Sequence, residues 1–97
     1  MPHRLIFLNT LKALNAGEYI VQEDEGRFFM NSQPNVHLVK DLLIRHRCLF
    51  EIKKDDFTGF TYYRLSFYGD MELQKGKRWW RSLSLLEKIN LRFLVGF

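Results

Sequence analysis

The stretch Tyr63 to Leu73, YRLSFYGDMEL, constrains the fold more tightly than any other part of the chain. Tyr63 and Leu65 fall on one face of a strand by its period of two, and Ser66 is a preferred helix N-cap. Gly69, at the third helical position, has no side chain to hold that turn away from neighbouring backbone. Met71 and Leu73 follow as apolar anchors. The segment therefore reads as a hairpin strand that turns directly into a helix.

The partner strand lies just upstream. Phe50 and Ile52, then Phe60 to Phe67, make a hairpin across KKDDFTG, with Gly59 relaxing the turn. Earlier still, Leu5, Leu8, Leu11 and Leu14 recur at helical spacing with Phe7 on an adjoining row. They predict an amphipathic helix over 3–15, with Pro2 at a first helical position and Gly17 at its end. Tyr19 to Gln22 and Arg27 to Asn31 are β-prone runs around an EDEG turn, with Phe28 and Met30 on one strand face and Phe29 on the other. From Pro34 a helix is expected to run to about Arg47. Val36, Leu38, Val39, Leu42, Leu43 and His46 share its apolar face; His37, Lys40, Asp41, Ile44 and Arg47 lie on the other, and Arg45 sits at the border. The helix from Ser66 is expected to stop near Lys75, before Gly76. Ser84 and Glu87 have capping-box spacing ahead of a last helix over about 85–95.

The order tyrosine, one residue, leucine, serine, two residues, glycine, three residues, leucine resembles the end of the wing and the start of the next helix in prokaryotic winged helix-turn-helix proteins, including the MarR and PadR repressor groups. A short helix ending LKALNAG (11–17), a hairpin EYIVQEDEGRFFMN (18–31) and a helix ending LLIRHRCLFEI (42–52) extend the resemblance to about residues 5–75. A standard member has a further helix before the recognition helix; here a β-hairpin occupies that place. The resemblance implies an α+β, winged-helix-like fold of three to four helices and two β-hairpins, forming one domain over 1–97 with a helical extension from about 77. It also implies a non-catalytic double-stranded DNA-binding protein, acting in transcription regulation as a homodimer.

Charge and missing motifs bear on that expectation. The formal net charge is +4, and cations gather at Lys40, Arg45, Arg47, Lys53 and Lys54, and again from Lys75 to Arg92, whereas Glu23, Asp24 and Glu25 form an acidic tip. If 34–47 enters a major groove, Asn35, His37, Lys40 and Asp41 approach base edges, and Arg45, Arg47, Lys53 and Lys54 meet phosphates. The same charges also suit an ordinary solvated surface. Trp79 and Trp80 stand among Lys77, Arg78 and Arg81; adjacent residues cannot share a helix face, so at least one is expected to pack inward. Trp79, Leu83, Leu86, Ile89 and Phe93 are the candidate dimer seam. The stripe Arg78, Arg81, Lys88 and Arg92 has the spacing of a partly exposed helix face.

No phosphate-cradling glycine loop, nucleophile elbow, paired-cysteine spacing or HExxH arrangement occurs, so neither enzymatic activity nor a cofactor is expected. His37, His46 and Cys48 lack the fourth ligand of a closed zinc site, and a helix face plus a buried thiol explains them. Asp55 and Asp56 suit a turn. A lone cysteine cannot form an internal disulfide, and no run approaches the roughly 18 apolar residues of a membrane span, so a cytoplasmic setting away from membranes is expected. A second reading is a protein-interaction module, such as a phage or mobile-element inhibitor that occupies a host protein. The missing second helix and the acidic tip favour it.

Overall fold

The computed structural model describes residues 2–24 and 26–95. The elements are α1 (Pro2–Asn15), β1 (Ile20–Gln22), β2 (Phe28–Phe29), a 3-10 turn (Val36–Val39), α2 (Lys40–Arg45), β3 (Leu49–Lys54), β4 (Thr61–Leu65), α3 (Phe67–Ser82) and α4 (Leu85–Val95). This is an α+β fold, compatible with the winged-helix-like expectation. The two hairpins join through β1 and β4 into one antiparallel sheet of order β2-β1-β4-β3, with Ile20, Val21 and Gln22 opposite Tyr63, Tyr62 and Thr61.

The leucine row of α1 forms the centre of the core. Leu5, Leu8, Leu11 and Leu14 are all buried, with Ile20, Phe28, Met30, Val36, Val39, Leu43, Cys48 and Leu73 closing around them. Thr10 is buried on the same helix because its hydroxyl donates to the Ile6 carbonyl at 2.8 Å. Gly17 ends α1 at φ +107°, with its N–H reaching Leu14 and that of Glu18 reaching Ala13, a Schellman cap that needs a left-handed residue.

Three expectations are corrected. The helix expected over 34–47 is a 3-10 turn followed by a six-residue α-helix, and the change of pitch at Val39 (φ −112°) rotates the later side chains. Leu38, placed on the apolar face by uniform 100° steps, is therefore exposed (44%), while Lys40, placed outside, is half-buried. Secondly, α3 does not stop before Gly76 but continues to Ser82. Gly76 sits over Leu8, where a Cβ would come within 2.8 Å of Leu8 Cδ1, so the glycine serves helix crossing rather than termination. Thirdly, only Leu73 of the two expected anchors is buried; Met71 is exposed.

Ser66 and Gly69 behave as their types require. The Ser66 hydroxyl accepts the Gly69 N–H at 2.9 Å and donates to the Arg47 carbonyl at 2.6 Å, and the Ser66 N–H donates to the Cys48 carbonyl at 2.8 Å. A Cβ on Gly69 would stand 2.5 Å from that same Cys48 oxygen and 2.6 Å from Leu65 Cδ1. The capping box also forms: Ser84 N–H donates to Glu87 Oε1 and Glu87 N–H to Ser84 Oγ, both at 3.2 Å.

The two helical glycines should respond differently to alanine. Gly69→Ala meets backbone that cannot yield, and should cost about 1–3 kcal/mol, lowering Tm by roughly 4–8 °C for each kcal/mol. Gly76→Ala meets only a leucine methyl and gains about 1 kcal/mol of helix propensity, so its denaturant midpoint should stay close to that of the parent.

Candidate functional site

The 3-10 turn and α2 present one exposed flank. Asn35, His37, Asp41 and Arg45 lie on it, interrupted by Leu38 and by Ile44, which is 56% exposed. Lys40 is not available in the same way. Its Nζ donates to the Gly26 carbonyl and lies 5.1 Å from the centre of the Phe28 ring, which ties the start of α2 to the first hairpin's turn.

Arg47 ends α2 at φ +54°, with its N–H bonded to the Ile44 carbonyl and that of Cys48 to Leu43. This is again a Schellman cap, but here a side-chain-bearing residue stands in the left-handed position that glycine fills most easily. Arg45 and Arg47 therefore project from the corner at which β3 begins.

β3 carries the other cations. Its register pairs Phe50 with Arg64, Lys53 with Tyr62 and Lys54 with Thr61, and Ile52 is the extra residue of a bulge between Glu51 and Lys53. Since Thr61, Tyr63 and Leu65 turn towards the core, Arg64, Tyr62, Phe50 and Lys53 belong to the outer face. Arg45, Arg47, Lys53, Lys54 and Arg64 are all exposed. Among the described residues the carboxylate contacts of basic side chains are His46 to Glu72 (3.4 Å) and Lys75 to Glu72 (3.5 Å), so none of those five cations holds a carboxylate.

Acidic groups collect at the hairpin tips. Asp24 packs against Gly59, bringing the first hairpin's turn beside the β3–β4 loop. Asp55 closes that loop: it accepts the Phe57 N–H, which holds its carboxyl below the usual carboxylate range. Phe57 itself is fully exposed at the tip. Glu25 lies outside the described residues.

The expected dimer residues separate into two environments. Trp79 is half-buried against the core with Arg4 4.4 Å from its ring centre, and Leu83 is half-buried at the α3 C-cap. Leu86, Ile89 and Phe93 are exposed on α4, together with Leu85. The stripe Arg78, Arg81, Lys88 and Arg92 is partly exposed, and Lys88 and Arg92 also lie over Trp80, each 5.5 Å from its ring centre.

The soft-ligand residues do not converge. His37 is exposed on the turn, His46 pairs with Glu72, and Cys48 is fully buried; no group of three metal-capable side chains occurs among the described residues. Sequence reasoning missed the outer sheet face as a unit. Its residues come from four separate segments, and only the β1–β4 pairing, which no local pattern specifies, brings them together.

No protein-family model matches the chain, and neither a curated protein nor a solved structure does.

Burial, with a smaller contribution from the Glu72 carboxylate, pushes the Cys48 thiol up to about 12. The thiolate is the nucleophile, so iodoacetamide at pH 8 should leave native protein unmodified and label Cys48 only after unfolding in urea. Labelling of the native form at the rate of a free thiol would contradict the burial.

Proposed function

We propose that the protein is a non-catalytic, double-stranded DNA-binding regulator that engages a duplex through α2 and the β3–β4 wing. The observation that carries this reading is a set of exposed cations without carboxylate partners, Arg45 and Arg47 at the α2 corner, Arg64 and Lys53 on the outer sheet face and Lys54 beside them on the opposite face, in a chain of net charge +4. A surface cation gains little from a carboxylate partner, so these five are stable unpaired and free to meet another anion. Lys53 and Lys54 stand beside Asp55 of the loop, whereas Arg45, Arg47 and Arg64 lie towards the other end of the hairpin, and cations so placed suit phosphates, whose counterions are released on binding.

Arg47 adds a second argument. A left-handed L-residue costs roughly 1–2 kcal/mol that glycine would not incur, so retention of a long cation there fits a use for its side chain outside the fold. In this reading Asn35, His37 and Asp41 face base edges. Lys40 instead holds α2 to the first hairpin, so Lys40→Glu should act mainly by destabilising that junction. The exposed row Leu86, Ile89 and Phe93 is the proposed seam with a second copy of the chain.

Exposed Leu38 and Ile44 on the α2 flank favour the alternative, a module that occupies a host protein. A stoichiometric protein partner retained from nuclease-treated extract, in the absence of any duplex binding, would support that alternative.

Binding to mixed genomic duplex fragments should fall steeply with salt. Arg45→Glu or Lys53→Glu should flatten the slope of log K against log salt by about one unit. Arg47→Gly should separate binding from folding: it should weaken the complex while raising stability by up to about 1 kcal/mol. Absence of any complex at low salt sinks the proposal.

A further inference from the structure

The outer face of the sheet, opposite the core, carries aromatic rings with cations set beside them. Phe29 of β2 is opposite Val21 of β1, Val21 is opposite Tyr62 of β4, and Tyr62 is opposite Lys53 of β3. Arg64 and Phe50 form the next pair along the same face. Tyr19, just ahead of β1, sets its ring edge-on to Tyr62 at 5.7 Å. Phe29, Phe50 and Tyr19 remain exposed although they are large and apolar. Arg27 lies over the Phe29 ring at 5.0 Å and Lys53 over that of Tyr62 at 5.7 Å.

We infer that this face is a stacking platform for single-stranded nucleic acid, which shares Lys53 and Arg64 with the proposed duplex surface but rests on the rings, so it does not depend on the duplex reading. Two features of the occupant follow from the chemistry present. Flat exposed rings take the π-face of any base, and cations beside them take the phosphates between bases. A surface cation–π contact is weaker than a base stacked on a ring. Arg27 and Lys53 can therefore swing from Phe29 and Tyr62 onto phosphates as bases arrive.

A groove of about 530 Å³ opens beside Tyr19, Val21, Phe29 and Asn31 at the β1–β2 edge. It has room for a base, with the Asn31 amide able to meet a base edge. Glu18 also lines this groove, but its carboxylate accepts both the Ser32 N–H and hydroxyl, which holds it to Ser32. The acids of the hairpin tips, Asp24, Asp55 and Asp56, border one end of the sheet, so the strand is expected to cross the Tyr62–Arg64 region rather than the tips. A protein partner would be served by apolar rings alone. Arg27, Lys53 and Arg64 standing between the rings favour a polyanion that also has flat faces.

The test uses the full chain and fluorescence anisotropy with labelled oligothymidylate, oligouridylate and a blunt mixed-sequence duplex. The native protein should bind at least one of the two single strands. Replacing the rings in the pair Phe29→Leu and Tyr62→Leu keeps apolar bulk, and should weaken single-strand binding by roughly tenfold per ring removed while duplex affinity and the melting temperature hold. Phe29→Tyr should retain binding. The inference is overturned if neither oligonucleotide binds, if removing the rings leaves affinity unchanged while Lys53→Glu with Arg64→Glu abolishes it, or if single-strand and duplex affinities fall together. Single-strand binding that depends on the rings, with no duplex binding, removes the proposed duplex function and leaves this one standing.

Discussion

The carbonyl of Cys48 and the first turn of α3 meet so closely that only glycine fits between them, and the arrangement of the rest follows from that contact. Cys48 is at the corner where α2 becomes β3, and its oxygen accepts the Ser66 N–H while Ser66 reaches on to Arg47. One serine and one glycine thus join the end of α2, the start of the wing and the start of α3. The helix N-cap contributes about 1 kcal/mol by itself. Its larger effect is geometric: with α3 fixed there, Leu73 is delivered to the core. Arg45 and Arg47 are fixed at the neighbouring corner.

Charge is distributed along the sheet as a consequence of its register. Pairing of β1 with β4 brings the two turns side by side, which concentrates acids at one end, and leaves the other end and the outer face to Arg64, Phe50, Lys53 and Tyr62. On that face a cation over a ring is worth about 0.5–1 kcal/mol when exposed, whereas a base on a ring is worth about 1–3 kcal/mol. The existing contacts are therefore weak enough to exchange for a ligand. A duplex has its bases already stacked and can use only the cations. In the two proposed readings the same side chains of the β3–β4 hairpin would meet two polyanions by different physics, with the rings deciding between them.

Much of this was legible in the residues. The leucine row of α1, the N-cap at Ser66, the close approach at Gly69, the capping box at Ser84 and the alternation of Phe28, Phe29 and Met30 all depend on neighbours within one helical turn or one strand. What failed were the places where packing between elements outweighs local preference. Gly76 looked like a helix stop because glycine is a poor helix former, yet Leu8 needs that space and the helix continues. Leu38 and Lys40 exchanged their expected environments because a 3-10 turn precedes α2. Uniform helical steps cannot register a change of pitch, nor the Gly26 carbonyl that draws Lys40 inward. The outer face escaped notice because its side chains are up to about 45 positions apart in the chain, from Tyr19 to Arg64.

The last helix shows how far local amphipathicity can mislead about direction. Lys88, Leu91 and Arg92 form the side of α4 that faces the body of the protein, with the two cations resting on Trp80, while Leu85, Leu86, Ile89 and Phe93 face outward. Long cationic stems cover an indole well and keep their charged heads near water, so the inward arrangement is tolerable. The outward one leaves each large side chain short of about 1.5–3 kcal/mol of burial. A second copy meeting the same row would bury it on both partners, a gain to be set against an association cost of about 4–15 kcal/mol. In the proposed seam the exposed α4 row would contribute most, and Trp79 and Leu83, half-buried at the end of α3, less.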